Sequence, residues 1–197
     1  MWRIYECLTI DHDPWLLLIA VFVCVLGSFA SMHTAIRARV GTQPVLWTSL
    51  AAVSCGLTVW STHFIAMLAF RTEVPISFDL ALTVLSALIG IVGFGIGLFV
   101  IRYHRDRPSL FAAGATVGIS ISCLHYIGMS GVTIPGTISF DMNYVAASII
   151  AAIILGGLTF SASFCLRAAP RILEASIGLI LTTVALHFTG MAAVSIQ

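Results

Sequence analysis

The segment HYIGM at residues 125–129 has two counterparts in the chain, HFIAM at 63–67 and HFTGM at 187–191. All three copies read His, aromatic, any residue, small residue, Met, and successive copies begin 62 residues apart. Each copy lies inside a long apolar stretch. A pattern that recurs three times at one period indicates a structural unit that is repeated three times.

Other parts of the sequence share this period. The segment ISFD at residues 76–79 recurs at 138–141, again with an offset of 62. The same offset joins three further pairs of residues, namely Gly56 with Gly118, Arg105 with Arg167, and Pro108 with Pro170. The repeated unit is therefore predicted to be one helical hairpin, and the chain holds three of them.

The composition is that of an integral membrane protein. Hydrophobic residues make up 59% of the chain and charged residues only 9%, whereas an average globular domain is about a quarter charged. Nine arginines, no lysine and eight acids form no basic surface for nucleic acid, so a nucleic-acid partner is excluded. The five cysteines are scattered and contain no CxxC motif, which argues against a disulfide framework.

Six apolar runs are each long enough to cross about 30 Å of hydrocarbon as a helix. Runs of this length without strict alternation predict helices and exclude the strands of a membrane barrel. The fold class is therefore all-α, with six transmembrane helices arranged as three hairpins around a pseudo-threefold axis. The predicted helices cover residues 15–36, 45–70, 79–101, 110–133, 143–166 and 172–196.

The arginines predict the orientation in the membrane. Seven arginines lie in the odd-numbered connections, and only Arg3 and Arg71 lie on the other side. Positive residues favour the cytoplasmic side, so the amino terminus and Gln197 are predicted to be outside. A cytoplasmic output would then need a seventh helix, and we expect the chain to be either part of a longer protein or a stand-alone module.

Several residues are predicted to shape the helices. Asp13, followed by Pro14, has the pattern of an N-cap with proline in the first turn, and Asp79 and Asp141 are likewise expected to be caps. Glycines in helices three and four should let neighbouring helices approach closely.

The repeated motif can form a metal site. Each His and its Met are four residues apart and lie on one helix face. Around a threefold axis, His63, His125 and His187 would converge, with Met67, Met129 and Met191 one turn nearer the outer surface. Imidazole with thioether favours copper. Zinc and haem are the alternatives. We expect the histidines to be the main ligands and the methionines to be outer ligands or an access route from outside.

The remaining candidates are interpreted as structural. Phe64, Tyr126 and Phe188 are expected to pack beside the histidines. His33 is placed near the cytoplasmic end, away from the site, and His12 and His104 are interpreted as solvated loop residues. Cys123 has no cysteine at the equivalent positions and is not expected to be a ligand.

On these residues the chain resembles the MHYT domain family of bacterial membrane sensor domains. The resemblance covers nearly the whole chain and implies a sensory input module that is fused to cyclic-di-GMP enzymes or other signalling outputs. It also implies copper bound by the six motif His and Met residues, with oxygen, carbon monoxide or nitric oxide as signals. The methionine that precedes the histidine in the family motif is replaced here by Thr62, Leu124 and Leu186.

The leading hypothesis is thus a metal-binding sensor, not an enzyme, in the bacterial inner membrane. Its predicted partners are the bilayer and a fused or associated cytoplasmic signalling domain, with a homodimer left open. One rival is a copper or proton transporter or channel. Its path toward the cytoplasm would use Ser54, Thr58, Ser120, Ser122, Thr182 and Thr183. The other rival is a haem-binding membrane redox protein.

Overall fold

The structure of the protein is a computed structural model, which describes residues 12–71, 75–165 and 171–196. Six helices in these ranges are long and apolar enough to cross a membrane, so the prediction of an all-α, six-helix membrane fold is confirmed. They are α1 (Pro14–Val40), α2 (Pro44–Ala69), α3 (Leu80–Tyr103), α4 (Arg107–Ser130), α5 (Met142–Phe164) and α6 (Ile172–Met191).

Aspartates cap the starts of four helices. Asp13 accepts hydrogen bonds from the backbone N–H groups of Trp15 and Leu16, and Pro14 occupies the first turn, as predicted. Asp79 and Asp141 likewise cap α3 and α5. Asp106 is a fourth cap, which was not predicted, and α4 therefore begins three residues earlier than predicted. Hydrogen bonds from Ser109 hold the pKa of Asp106 below its usual value.

The six helices form a closed ring in chain order. Each helix packs against its neighbours in sequence, and α6 packs back against α1. The helices α2 and α4 are the most buried, and α4 contacts both α2 and α6 across the centre. The three helices that carry the motif therefore meet inside the ring.

Glycines make some of these helix contacts very close, as expected. A methyl group at Gly114 would overlap the carbonyl of Gly156, and one at Gly118 would overlap the carbonyl of Ala152. A methyl group at Gly56 would lie 2.8 Å from Cα of Ile91. The interfaces α4–α5 and α2–α3 thus depend on the absence of side chains at these positions.

Short antiparallel ladders cross one end of the bundle, which we call the ladder end. Strand β1 (Ser77–Phe78) pairs with β2 (Val132–Thr133), and β3 (Ile138–Phe140) pairs with β4 (Val194–Ile196). An isolated bridge between His12 and Phe70 takes the third position. The predicted helix ends at 133 and 196 are wrong, because these backbone groups pair in ladders after α4 ends at Ser130 and α6 at Met191.

Arginines gather at the opposite end, which we call the arginine end. Arg39 donates to the carbonyl of Phe164 at the end of α5, and Arg102 donates to the carbonyl of Ala38 near the end of α1. These guanidinium groups satisfy carbonyls that the helix ends leave free. Arg71 lies at the ladder end, 3.4 Å from Asp13. Arg3 and Arg167 lie outside the described residues.

Candidate metal centre

The three motif histidines converge on one point inside the bundle. Nδ1 of His125 lies 3.2 Å from Nδ1 of His63, which in turn lies 3.3 Å from Nδ1 of His187. All three side chains are buried. Within the described residues, they form a group in which each offers one nitrogen and these nitrogens lie within 4.8 Å of one another.

The aromatic residue of each motif packs on the neighbouring histidine ring of its own helix. Ring centroids are 4.8 Å apart for His63 and Phe64, 4.8 Å for His125 and Tyr126, and 5.2 Å for His187 and Phe188. All three contacts are edge-to-face, the arrangement that aromatic rings prefer. Each motif thus holds its imidazole with its own aromatic side chain.

The small residue of the motif makes room for the imidazole of another helix. A methyl group at Gly128 would lie 2.8 Å from Nε2 of His63, and one at Gly190 would lie 2.6 Å from Nε2 of His125. These distances are shorter than ordinary carbon–nitrogen contacts. In these two copies the glycine three positions after the histidine therefore has a steric cause, whereas the third copy has Ala66 at this position.

The ring nitrogens are arranged in a way that suits a bound cation. Nδ1 of His63 faces Nδ1 of both His125 and His187, while the three Nε2 atoms are buried without a hydrogen-bond partner among the described residues. A neutral imidazole carries one N–H, so nitrogens that face one another cannot all be satisfied by the rings alone. Nitrogens that lie this close together could bind one cation at the 2.0–2.1 Å of a zinc–imidazole bond after small movements of the rings.

The three motif methionines form a separate buried cluster. Met67, Met129 and Met191 pack together, one turn from the histidines and toward the ladder end. Partly buried apolar side chains of the helix ends and ladders cover the cluster, namely Phe70, Phe78, Val132, Phe140, Phe188 and Val194. The thioethers therefore lie beneath an apolar cover.

On the other side of the histidines the bundle is filled with apolar residues. Leu124 and Leu186 directly precede two of the histidines and are fully buried, together with Ile121 one turn away. They belong to a core that continues through Leu179 to Leu110 near the arginine end. The hydroxyls proposed as a polar path mostly bond within their own helices: Ser120 donates to Thr116, Ser122 to Gly118, Thr182 to Gly178 and Thr183 to Leu179.

His12 lies next to the histidine centre, contrary to its prediction as a solvated loop residue. It is not solvated, because only 2% of it is exposed, and its ring centroid lies 6.4 Å from that of His187. It also packs against Phe70 and Phe188. Its bridge to Phe70 corresponds to the pairs Phe78–Val132 and Phe140–Val194, so His12 occupies the place of a phenylalanine.

The other candidates lie away from the histidines. His33 and His104 are exposed, and Cys123 is exposed on the surface of α4. The buried thiols of Cys24 and Cys55 are free. Cys7 lies outside the described residues.

The fold and this centre define a multi-pass membrane domain with a buried cluster of three histidines, one from each hairpin. The family of bacterial signalling protein N-terminal repeats, MHYT, matches residues 56–114 and 118–175, and the chain belongs to this family. The two matches begin 62 residues apart, at Gly56 and Gly118, which is the period of the repeat.

Several bacterial signalling proteins are similar to the chain. An uncharacterized signaling protein of Caulobacter vibrioides is 32% identical over 100% of this chain and 24% of its own length. The bifunctional diguanylate cyclase/cyclic di-GMP phosphodiesterase MucR of Pseudomonas aeruginosa is 30% identical over 93% of this chain and 28% of its length. The cyclic di-GMP phosphodiesterase NbdA of the same species is 32% identical over 92% of this chain and 24% of its own length.

The chain spans about a quarter of the length of these relatives. In them, it corresponds to a part of a longer signalling protein. No solved structure matches the chain.

Proposed function

We propose that the protein is a sensory input domain of the bacterial inner membrane that binds one copper ion through His63, His125 and His187. The observation that carries this proposal is the convergence of three buried imidazoles on one point, with their Nδ1 atoms turned toward one another. Three Nδ1 lone pairs that face one another cannot be satisfied by the rings alone, and a cation among them would satisfy all three.

Copper suits the donor set better than zinc. The histidines alone would serve either metal. The thioethers of Met67, Met129 and Met191 are soft ligands that favour Cu(I) and add little for zinc. When bound, copper would supply a coordination position for a diatomic gas such as oxygen, carbon monoxide or nitric oxide. The signal would then be either copper itself or such a gas.

The surroundings of the site speak against the two rival functions. A transporter needs a polar path to the cytoplasm, but apolar side chains fill the bundle between the histidines and the arginine end. A haem needs a large pocket, whereas the cavity beside the histidines has a volume of only about 40 Å³. Sites for drug-sized molecules are about 300–1,000 Å³.

The output of the sensor would lie in another domain. Two relatives carry cyclic-di-GMP activity by name, and each is several times longer than this chain. We infer that the six helices perform no catalysis and pass a conformational signal to a cytoplasmic domain of this kind. In the proposed orientation the amino terminus is outside and the ladder end faces the periplasm.

The metal is tested on purified protein. Copper, zinc and iron are quantified in the protein in detergent, and an absorption spectrum is recorded. We expect copper at one ion per chain after loading with Cu(I) and no Soret band. A Soret band would indicate haem instead. Zinc bound more tightly than Cu(I) under reducing conditions would keep the histidine site and refute copper.

The sensor role is tested in a chimera. The corresponding region of MucR is replaced by this chain, and cyclic di-GMP is measured in cells with and without added copper or nitric oxide. We expect a response that disappears with His125→Ala. A response that persists in that variant would show that signalling does not depend on the histidine centre.

A further inference from the structure

A small apolar cavity touches the three histidines from the side of the bundle. Its volume is about 40 Å³, enough for one or two small molecules because a single water needs at least about 10–15 Å³. It reaches from the histidine rings to the interface between α1 and α6. On that side its lining includes Leu17, Ala20, Val21, Cys24, Val184 and Phe188, together with Thr183, whose hydroxyl bonds within α6.

The α1–α6 interface is the loosest contact in the ring of helices. The repeat explains why. The N-cap aspartates of α1, α3 and α5 make the same backbone hydrogen bond: the N–H groups of Asp13, Asp79 and Asp141 donate to the carbonyls of Ala69, Gly131 and Ala193, respectively. A residue of α1 therefore corresponds to the residue of α3 that lies 66 positions later and to the residue of α5 that lies 128 positions later. With this alignment, the α2–α3 and α4–α5 interfaces are the equivalents of the α1–α6 interface.

The three equivalent interfaces differ in side-chain size at one pair of positions. Gly56 meets Gly90 between α2 and α3, and Gly118 meets Ala152 between α4 and α5. The residues at these positions in α6 and α1 are Ile180 and Cys24. The larger pair keeps α1 and α6 apart where the other helices touch.

Side-chain hydrogen bonds join the helices at the α2–α3 and α4–α5 interfaces, but the equivalent residues at the α1–α6 interface cannot form them. Trp60 donates to the carbonyl of Thr83 between α2 and α3, and the hydroxyls of Tyr126 and Ser148 lie 2.6 Å apart between α4 and α5. At the α1–α6 interface, Val184 and Leu17 take the places of Trp60 and Thr83, and Phe188 and Ala20 take the places of Tyr126 and Ser148. All four of these α1 and α6 residues line the cavity, and none of them offers a side-chain hydrogen bond.

The cavity also reaches the outer surface of the bundle. Val21 is 48% exposed and Val184 is 36% exposed, although both line the cavity. They lie in the apolar spans of α1 and α6, so the surface they expose faces hydrocarbon. The two other directions are filled, by the covered methionine cluster and by the apolar core.

We propose that a small uncharged molecule of about two heavy atoms reaches the histidines laterally from the bilayer, between Val21 of α1 and Val184 of α6. The proposal rests on the proposed function in that this molecule would meet the bound copper. The apolar walls of the cavity select against ions. The lipid is also where uncharged apolar molecules concentrate.

The first test uses two cysteines that are already present. Cys24 lines the cavity and Cys55 does not, yet both are buried. Two variants each retain one of these cysteines, with the remaining four replaced by alanine. In membranes we expect uncharged methyl methanethiosulfonate to modify Cys24 and leave Cys55 unmodified, as followed by intact-protein mass. The cationic trimethylammonium-ethyl reagent should modify neither.

The second test blocks the proposed route between α1 and α6 with a larger side chain. Val184→Trp should slow modification of Cys24 by about tenfold or more, which equals about 1.4 kcal/mol of added barrier. Leu181→Trp is the matched control, because Leu181 is exposed on the same helix and does not line the cavity. Equal rates for Cys24 and Cys55, or an unchanged rate in Val184→Trp, would overturn the lateral route.

A third measurement connects the route to copper. In Cu(I)-loaded protein, carbon monoxide should rebind after photolysis more slowly in Val184→Trp than in Leu181→Trp, at equal copper content. Equal rebinding rates would overturn the route. The cysteine measurement needs no metal, so failure to load copper refutes the proposed function while the cysteine rates still decide the route.

Discussion

Nδ1 of His125 lies 3.2 Å from Nδ1 of His63, although the two residues belong to different hairpins. Neither helix could bury its histidine alone, because each imidazole would then face lipid. Their meeting therefore depends on the closed ring, and any change in how the hairpins pack changes the distance between these nitrogens. This relationship makes the centre a natural point at which ligand binding and helix packing influence each other.

Loss of one imidazole should abolish the centre. We expect His125→Ala to lower Cu(I) affinity by more than about 100-fold, beyond what loss of an outer-shell partner usually costs. The measurement is a competition titration with a chromophoric Cu(I) chelator. His33→Ala is the control, because His33 is exposed.

The methionines should matter less than the histidines. Because the methionines lie in a separate cluster beneath an apolar cover, Met129→Leu should change the affinity by less than about tenfold, whereas equal losses for the two variants would make methionine a direct ligand. Full affinity in His125→Ala would contradict the proposed site altogether.

The small residue of the motif should control the position of the neighbouring imidazole. In Gly128→Ala the new methyl group would lie 2.8 Å from Nε2 of His63, so the ring has to move. We expect the metal affinity to fall by about 10- to 100-fold, as for other changes that reorient a ligand.

The control for this variant is Gly95→Ala. A methyl group there would lie 3.6 Å from Cβ of Ala52, an ordinary contact. Circular dichroism should show the same helix content in both variants. A Gly128→Ala protein with unchanged affinity would show that the ring position is not limiting.

The histidine centre could be predicted from the sequence, whereas His12 could not. Three copies at one period place His63, His125 and His187 on equivalent faces without any knowledge of packing. His12 belongs to no such copy, and the offset between α1 and α3 is 66 instead of 62, which hides its equivalence to Phe78.

The ladders and the loose interface were missed for physical reasons. Residues such as Val132 continue an apolar run, so only backbone pairing with another hairpin reveals a strand. The change from Gly56 and Gly118 to Ile180 is visible in the sequence. Its consequence for the α1–α6 interface, however, follows only when the helices are packed.

The position of His12 leads to a prediction of its own. It takes the place of Phe78 and Phe140, and it does not belong to the group of three histidines whose nitrogens converge. We therefore expect His12→Phe to retain one copper per chain, with an affinity loss of at most about 10- to 100-fold, the cost of a lost outer-shell partner. The assay is the same chelator competition, with His187→Ala as the reference for a lost ligand. A loss as large as that of His187→Ala would make His12 a fourth ligand.

The hydroxyl pair between α4 and α5 should contribute measurably to stability. The oxygens of Tyr126 and Ser148 are 2.6 Å apart, so Tyr126→Phe removes one hydrogen bond and keeps the ring. Such a bond between membrane helices contributes about 0.6 kcal/mol on average and up to about 1.7. The free energy of unfolding is measured by titration with sodium dodecyl sulfate.

Ser148→Ala provides the matching half of a double-mutant cycle. If the two hydroxyls act as a pair, the double variant should lose less than the sum of the two single losses. Strict additivity would show that the hydroxyls stabilise the protein independently.

Cysteine labelling at two positions, one at each end of the bundle, tests the orientation in the membrane. Arg105 lies at the arginine end and Thr137 at the ladder end, and both are exposed. In a cysteine-free background, Thr137→Cys should react with a membrane-impermeant maleimide in cells with a permeabilised outer membrane. Arg105→Cys should react only after the inner membrane is opened, because arginine-rich connections stay in the cytoplasm. Labelling of Arg105→Cys from outside would reverse the topology and place the ladders and methionines on the cytoplasmic side.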